Sequence, residues 1–519
     1  MKTLQKKQVM NASRLAALLR GKLLSDERRP RYHFAAPGDF GFPGDPNMAF
    51  YANGRYHLMY LYRNLSDGFR LGHLSSRDLL HWRMHPDALG PDELDGGIHS
   101  GGAFADSDGT VYAAYWALPK PGGPAGSAGG IRLAMSRDIR NHYEKWEKFP
   151  EYAVQASAET GITEKTDADG NTVDYLGCTD PSNLWKAGDT YYMQLGALVV
   201  LNKFRGDPDA PERLRGDWTE LYASKDLHSW QHMGRFYRRD PSGRWTDESE
   251  DDMCPSFLPL PSSPDGGAFS GKYLQLFISH NRGAQYYIGS YDPAKSDCPF
   301  TAEKHGRMSW ADNSFFAPEA LTDPQGRQIM WAWLRDDRAD GLPNFLSCGY
   351  CGVYSLPRSL WLNEDGELGI APAQELRSLR YGQTDDLCKI NARSCEAMLA
   401  AHAPEGSKTG FRVYLSRDEY ADIYYDGSSR ELVYDASHAK QGECAEAVER
   451  APLTLRAGEK LQLDLFVDRC VIEIFANGRQ AICRRSYADH APAYSVQLLG
   501  PMPAGAELTA WNIDETNLF

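Results

Sequence analysis

Apolar and polar residues alternate over short stretches through most of the first 360 positions, and one order of features recurs five times. Each unit has a polar or small-residue start, a short strand, a turn or loop, and a second strand, most often rich in Tyr and Trp. The units begin at Asp45, Ser100, Asp180, Cys254 and Ala317. Their second strands read Tyr56–Tyr62, Val111–Trp116, Tyr191–Leu195, Tyr273–Ile278 and Ile329–Leu334. Period-two alternation across turns such as Asn53-Gly54, Asp108-Gly109 and Gln325-Gly326 predicts hairpins. A further element follows several of them, at Gly72–Trp82, Leu133–Asp138 and Tyr222–Trp230. Units of about four strands repeated at intervals of roughly 40–50 residues or more predict a β-propeller, here with five blades.

The pattern changes after Leu360. Leu461–Val467 alternates, and Cys470–Phe475 with the Asn477-Gly478 turn and Gln480–Cys483 reads as a hairpin, which predicts a separate β-sandwich. The expected fold is therefore all-β. Residues 1–30 form an N-terminal extension with a short amphipathic helix over Asn11–Leu24. Residues 31–365 form the five-bladed β-propeller, 366–385 a linker with a short helical turn, and 386–519 the β-sandwich.

In a propeller the innermost strand of each blade lines a central channel, so the starts of the repeated units converge there. Two of them are Asp-Pro, at Asp45 and Asp180, and an acidic run, Glu248 to Asp252, precedes the Cys254-Pro255 start. Several carboxylates in one channel suit glycoside hydrolysis, which needs a nucleophile and an acid/base.

These motifs, in this order from about Arg31 to Phe519, resemble glycoside hydrolase family 32, the invertase, levanase and inulinase family. The residues that carry the resemblance are His33-Phe34, Asp45-Pro46-Asn47, Gly72 to Trp82, Ser100-Gly101, Asp180-Pro181, Phe316-Ala317-Pro318-Glu319, Leu356-Pro357-Arg358 and Val467-Asp468-Arg469 to Phe475. The resemblance implies a retaining mechanism. Asp45 would attack the anomeric carbon of a β-fructofuranosyl unit, and Asp180 would stabilise the oxocarbenium-like transition state. Asn47, His73, Ser100, Thr179 and Glu319 would surround the sugar. The implied substrate is sucrose, a fructooligosaccharide or a fructan. A fructosyltransferase and a sugar-binding homologue with impaired catalysis are the alternatives.

Three departures from the family pattern stand out. Thr179 replaces an Arg. Gly44 and Met48 replace Asn and Gly beside the nucleophile. Met253 occupies the place of the family's acid/base Glu, and methionine carries no proton to donate. Replacement acids are expected in the run just upstream, in the order Asp251, Glu250, Asp252. Strand alternation turns Asp251 to the same side as Met253, Glu250 has the longer reach, and a bulge would turn Asp252 inward.

Composition narrows the setting. The 519 residues are 42% hydrophobic and 12% aromatic, with a net charge of −14. A negative surface disfavours nucleic acid as a partner. No apolar run is long enough to span a bilayer, and Lys2, Lys6 and Lys7 are not followed by the apolar core of a signal peptide. Ten scattered cysteines read as buried thiols without a disulfide framework, which favours the cytoplasm. Cys348-x-x-Cys351 lacks a second pair at zinc spacing, so neither a metal nor a cofactor is expected. The partner expected is a carbohydrate substrate.

Overall fold

The computed structural model describes residues 25–37, 41–64, 68–123, 128–156, 161–240, 242–247, 250–335, 350–440 and 446–516, together with Arg14 and Gly21. The helix expected over 11–24, apart from Arg14 and Gly21, and Cys348 of the C-x-x-C pair lie outside the described residues. The chain is nearly all β, and its longest described α-helical element is Leu198–Phe204.

Five antiparallel sheets follow one another along the chain. The first comprises Gly41–Ala52, Arg55–Asn64, Gly68–Ser76 and Trp82–Leu89, and the second Ile98–Ala105, Val111–Ala117, Gly130–Ser136 and Glu147–Gln155. The third runs from Thr179–Pro181 through Thr190–Gly196 and Trp218–Ser224 to Gln231–Arg238. The fourth runs from Met253–Pro261 through Phe269–Ser279 and Gly283–Tyr291 to Phe300–Arg307. The fifth contains Phe315–Thr322, Gln328–Leu334, Tyr350–Tyr354, Arg358–Leu362 and Leu368–Pro372. The first hairpin closes on Asn53 and Gly54, both in the left-handed region at φ 49° and 71°, as a two-residue turn requires.

The first strand of each sheet lies against the first strand of the next, and that of the fifth returns to that of the first. Close approach is built into the sequence. A Cβ on Gly102 would sit 2.1 Å from the backbone nitrogen of Asn183, so only glycine lets the second and third sheets meet there. All five first strands also slip register near these starts: Pro43/Pro46 and again Asn47/Phe50 in the first sheet, then Ile98/Gly101, Thr179/Pro181, Met253/Ser256 and Phe316/Glu319. Prolines at four of these starts cannot donate to a ladder, which favours a bulge. The bulges carry positive φ at Met48 (46°), Asp180 (23°), Cys254 (48°) and Ala317 (46°). The glycine that the family pattern places at position 48 has its reason in this backbone. Here Met48 accepts the strained conformation and is fully buried.

Two features differ from the sequence reading. Ala35–Pro37, near the N-terminus, pairs with Tyr350–Tyr354 and adds an edge strand to the fifth sheet. Residues 366–385 are not a free linker. Leu368–Pro372 completes the fifth sheet, Gln374–Leu379 is a 3-10 helix, and Arg380–Thr384 pairs with Glu507–Ile513 in a later sheet. The physical reason is burial: Leu368, Ile370, Leu376 and Leu379 are apolar and inaccessible, so the segment is packed rather than solvated.

The remaining strands form a six-stranded and a five-stranded antiparallel sheet sharing one apolar layer. Ala397, Leu399, Leu463 and Ile474 come from one face, and Phe411, Val413, Ile423 and Tyr434 from the other.

Three of the motifs quoted above meet at the junction between these sheets and the fifth. His33 binds Asp468 Oδ2 through Nδ1 (3.0 Å) and Glu473 Oε1 through Nε2 (3.2 Å). Arg358 Nη2 donates to Glu473 Oε2 at 2.8 Å, and the Leu356 N–H donates to Oε1 at 2.7 Å. All four charged or titratable side chains are buried. Burial alone would raise the Glu473 carboxyl, but Arg358, His33 and the Leu356 amide outweigh it and hold it at about 2. A depressed carboxylate stabilises the fold above its unfolded pKa, about 4.3, and that contribution is lost as pH falls toward 2. Glu473→Gln leaves Arg358 without its counter-charge. It should cost about 3–5 kcal/mol in a denaturant titration near neutrality, with the deficit shrinking in acid.

Candidate active site

Asp45 lies inside the bulge between Pro43 and Pro46 and is half-buried. Its Oδ2 accepts the Ser100 hydroxyl at 3.1 Å. Asn47 ties the two strands together: its Oδ1 accepts the Gly101 N–H at 2.8 Å, and its Nδ2 reaches the Asp45 carbonyl at 3.3 Å and Ser100 Oγ at 3.4 Å. Burial raises the Asp45 carboxyl above the ordinary range, while Ser100 and the positive Arg335 and His280 pull it back.

Asp180 occupies the corresponding bulge of the third sheet and is buried, with Cys254 Sγ 3.4 Å from its Oδ2. Burial and the negative charge of Asp45 push it up to about 7, opposed by Cys254 and His280. Oδ1 is buried and makes no hydrogen bond among the described residues.

Glu319 accepts the Ala49 N–H at 2.7 Å, and burial raises its carboxyl to about 8. It thus braces the backbone just beyond Met48 as a protonated acid near neutrality. Thr179 is fully buried. Its hydroxyl donates to the Gly196 carbonyl at 3.1 Å and lies 3.6 Å from Met253 Sδ. The two departures from the family pattern, at the Arg and at the Glu, therefore touch each other.

His73 is brought elsewhere. It is buried in the first sheet within a histidine stack, its Nε2 3.0 Å from His57 Nδ1 and its ring 4.6 Å from that of His85. Burial and the neighbouring histidines push it well below its usual value, so it is a neutral core residue.

The acidic run also departs from expectation. The fourth sheet begins at Met253, and Asp252 has φ of 49°, so the acidic run precedes the strand and strand alternation does not carry back through it. Glu250 is fully buried against Arg282 Nη1 (2.8 Å), Gln285 Nε2 (2.8 Å) and Arg307 (3.5 Å). Asp252 turns toward the buried Asp217, whose carboxylate accepts the Tyr287 hydroxyl at 3.0 Å and is also bonded by Thr246. Burial raises both carboxyls of this pair. Asp251 faces His280: its Oδ2 is 3.0 Å from Nδ1 and 3.3 Å from the backbone N–H.

His280 and Arg335 escaped the sequence reading. Each directly follows the second strand of its unit, Phe269–Ser279 and Gln328–Leu334. An antiparallel second strand ends where the first begins, so residues just past it flank the same bulges. That offset was the available signal. Phe316 lies between them, 5.7 Å from the His280 ring and 5.0 Å from the Arg335 guanidinium. No group of three or more metal-ligating side chains is present among the described residues.

The model of the glycosyl hydrolases family 32 N-terminal domain matches residues 33–372, and that of the family 32 C terminal matches residues 372–508. The chain belongs to glycosyl hydrolase family 32. Among curated proteins it is 26% identical over 474 residues to a sucrose-6-phosphate hydrolase of Vibrio alginolyticus, covering 87% of this chain and 85% of that protein. It is 25% identical over 506 residues to the levanase of Bacillus subtilis, covering 88% and 66%. Fructan 1-exohydrolase IIa of Cichorium intybus, solved with 1-kestose, superposes with a TM-score of 0.73 at 19% identity, covering 94% of this chain and 98% of that one. The sucrose-6-phosphate hydrolase of Lactobacillus gasseri gives 0.73 at 19% identity, covering 97% of each. At that identity the likeness is one of fold.

Proposed function

We propose that this family 32 chain is a retaining β-fructofuranosidase acting on sucrose, fructooligosaccharides or fructan, with Asp45 as nucleophile and Asp180 as the carboxylate that stabilises the transition state. The observation that carries the reading is the pair itself. Two carboxyls sit at bulges in the first strands of the first and third sheets, on either side of the Ser100 strand, close enough that the charge of Asp45 raises Asp180, and one is held by Ser100. The cyclic adjacency of the five first strands supports a five-bladed propeller around this pair, and the two sheets sharing one apolar layer support a C-terminal sandwich. The names of the relatives, sucrose-6-phosphate hydrolase, levanase and fructan exohydrolase, support the fructosyl specificity.

The mechanism follows from the side chains. Ser100 fixes the rotamer of Asp45 through Oδ2, leaving Oδ1 to attack C2 of the fructosyl unit. The C2–O bond breaks as positive charge builds on the ring, and the nearby Asp180 carboxylate gains interaction energy as that charge develops. Water then attacks C2 on the face vacated by the leaving group and releases fructose with its configuration retained.

Chromatography of digests of sucrose, levan and inulin should show free fructose from at least one of them. NMR of the first-formed product should show the β-anomer. Inversion at C2, or no fructose from any β-fructoside, would overturn the reading.

A further inference from the structure

Retaining hydrolysis needs a proton for the leaving oxygen, and Met253 offers none. Glu250 is committed to Arg282, Gln285 and Arg307, and Asp252 is fully buried beside Asp217. Asp251 is itself shut off from solvent, with a side chain 1% exposed, but it holds a histidine whose side chain is 44% exposed.

We infer that His280, oriented by Asp251, is the acid/base of this site and takes over the task the family assigns to the Glu now replaced by Met253. The inference rests on Asp45 being the nucleophile. Register places Met253 opposite Ile278, so the chain leaving Ile278 through Ser279 passes the vacated position and presents His280 two residues on. The Ser279 hydroxyl accepts the Asp251 N–H at 3.2 Å, which locks the acidic run to that turn. Nδ1 of His280 is committed to Asp251, so Nε2 is the nitrogen left to act on a ligand. Phe316, at the bulge of the fifth sheet, packs edge-on against the ring.

The charged groups facing His280 are Asp251, Asp180 and Asp45 on one side of the balance and Arg335 on the other. The hydrogen bond that Nδ1 donates to Asp251 raises the imidazole, burial lowers it, the charges of Asp251 and Asp180 raise it, and Arg335 lowers it, with a net rise above 6.5. His280 in turn lowers both Asp45 and Asp180, so the three groups act within one electrostatic neighbourhood.

The step balances without a co-reactant. As Asp45 Oδ1 bonds to C2, the electron pair of the C2–O bond passes to the leaving oxygen, which takes the Nε2 proton. Neutral His280 then takes a proton from the water that attacks C2, and the electron pair of the ester bond returns to Asp45. Asp251 is a positioning residue that fixes the ring and favours the imidazolium.

The test compares sucrose, whose leaving alkoxide needs a proton, with β-fructofuranosyl fluoride, whose fluoride does not. His280→Gln should lose ~100-fold or more in kcat/KM on sucrose and only a few-fold on the fluoride. Azide should speed turnover of the fluoride in this variant by replacing the water that needs a base. Equal losses on both substrates, or none, would overturn the inference. Asp251→Asn supplies a second readout. Activity falls on the basic side as His280 loses its proton, and removing the carboxylate lowers the imidazole, so this limb should move to lower pH. An unmoved limb also overturns the inference. Asp45→Asn, run in parallel, separates the two levels: it should fail on both substrates, and if it turns over the fluoride the nucleophile assignment itself is wrong.

Discussion

Asp45→Asn should lose about 10,000-fold in kcat on any β-fructoside, equivalent to about 5.5 kcal/mol of transition-state stabilisation. The argument is chemical rather than structural. An amide oxygen can still accept the Ser100 hydroxyl that now bonds Oδ2, and Asn47 holds the backbone independently through Gly101 and the Asp45 carbonyl. The loop should therefore keep its shape, and the thermal midpoint should change little. What is lost is the carboxylate that forms the ester to C2. Mass spectrometry of the wild-type chain quenched in acid during turnover should find a hexosyl adduct on the peptide carrying Asp45, absent from the variant. A variant that keeps its midpoint and more than a tenth of its turnover would exclude Asp45 as the nucleophile.

The five starts were legible because their chemistry is local. An Asp-Pro, Cys-Pro or Ala-Pro step cannot continue a ladder, and each falls where register slips, with positive φ at Asp180, Cys254 and Ala317. The motifs around His33, Arg358, Asp468 and Glu473 were also legible as a group, although the sequence alone gave no hint that they form one buried ionic junction. The alternation argument for Asp251 does not hold. Alternation assumes extended backbone, and the left-handed Asp252 cancels it. His73 belongs to a family motif but is used in packing, its ring stacked between His57 and His85. His280 and Arg335 were missed because nothing in their immediate sequence marks them. Their importance comes from hairpin geometry, which brings the end of one strand beside the start of another. The pairing of Ala35–Pro37 with Tyr350–Tyr354 is more than three hundred residues long-range, and no local pattern encodes it.

Asp180→Asn should lower kcat by roughly a thousandfold with little change in KM, and at the same time make the protein more stable near neutral pH. The two effects share one cause. Burial and the charge of Asp45 raise the Asp180 carboxyl to about 7 in the folded chain, against about 3.9 unfolded. A carboxyl with a raised folded pKa binds its proton more tightly in the native state, so stability falls as pH climbs from about 3.9 to 7. The ionised site thus opposes folding by an upper bound of about 4 kcal/mol, from three pKa units at 1.36 kcal/mol each. Asparagine carries no charge, is nearly isosteric, and tolerates the positive φ of 23° at this position better than most residues. The variant should therefore melt higher than wild type at pH 8, with the advantage vanishing near pH 4. Activity moves the other way, because an uncharged amide cannot gain attraction as positive charge builds on the sugar ring. A variant that loses activity and stability together would make Asp180 a structural residue. One that gains stability while losing kcat alone identifies it as a charge held under strain for the transition state.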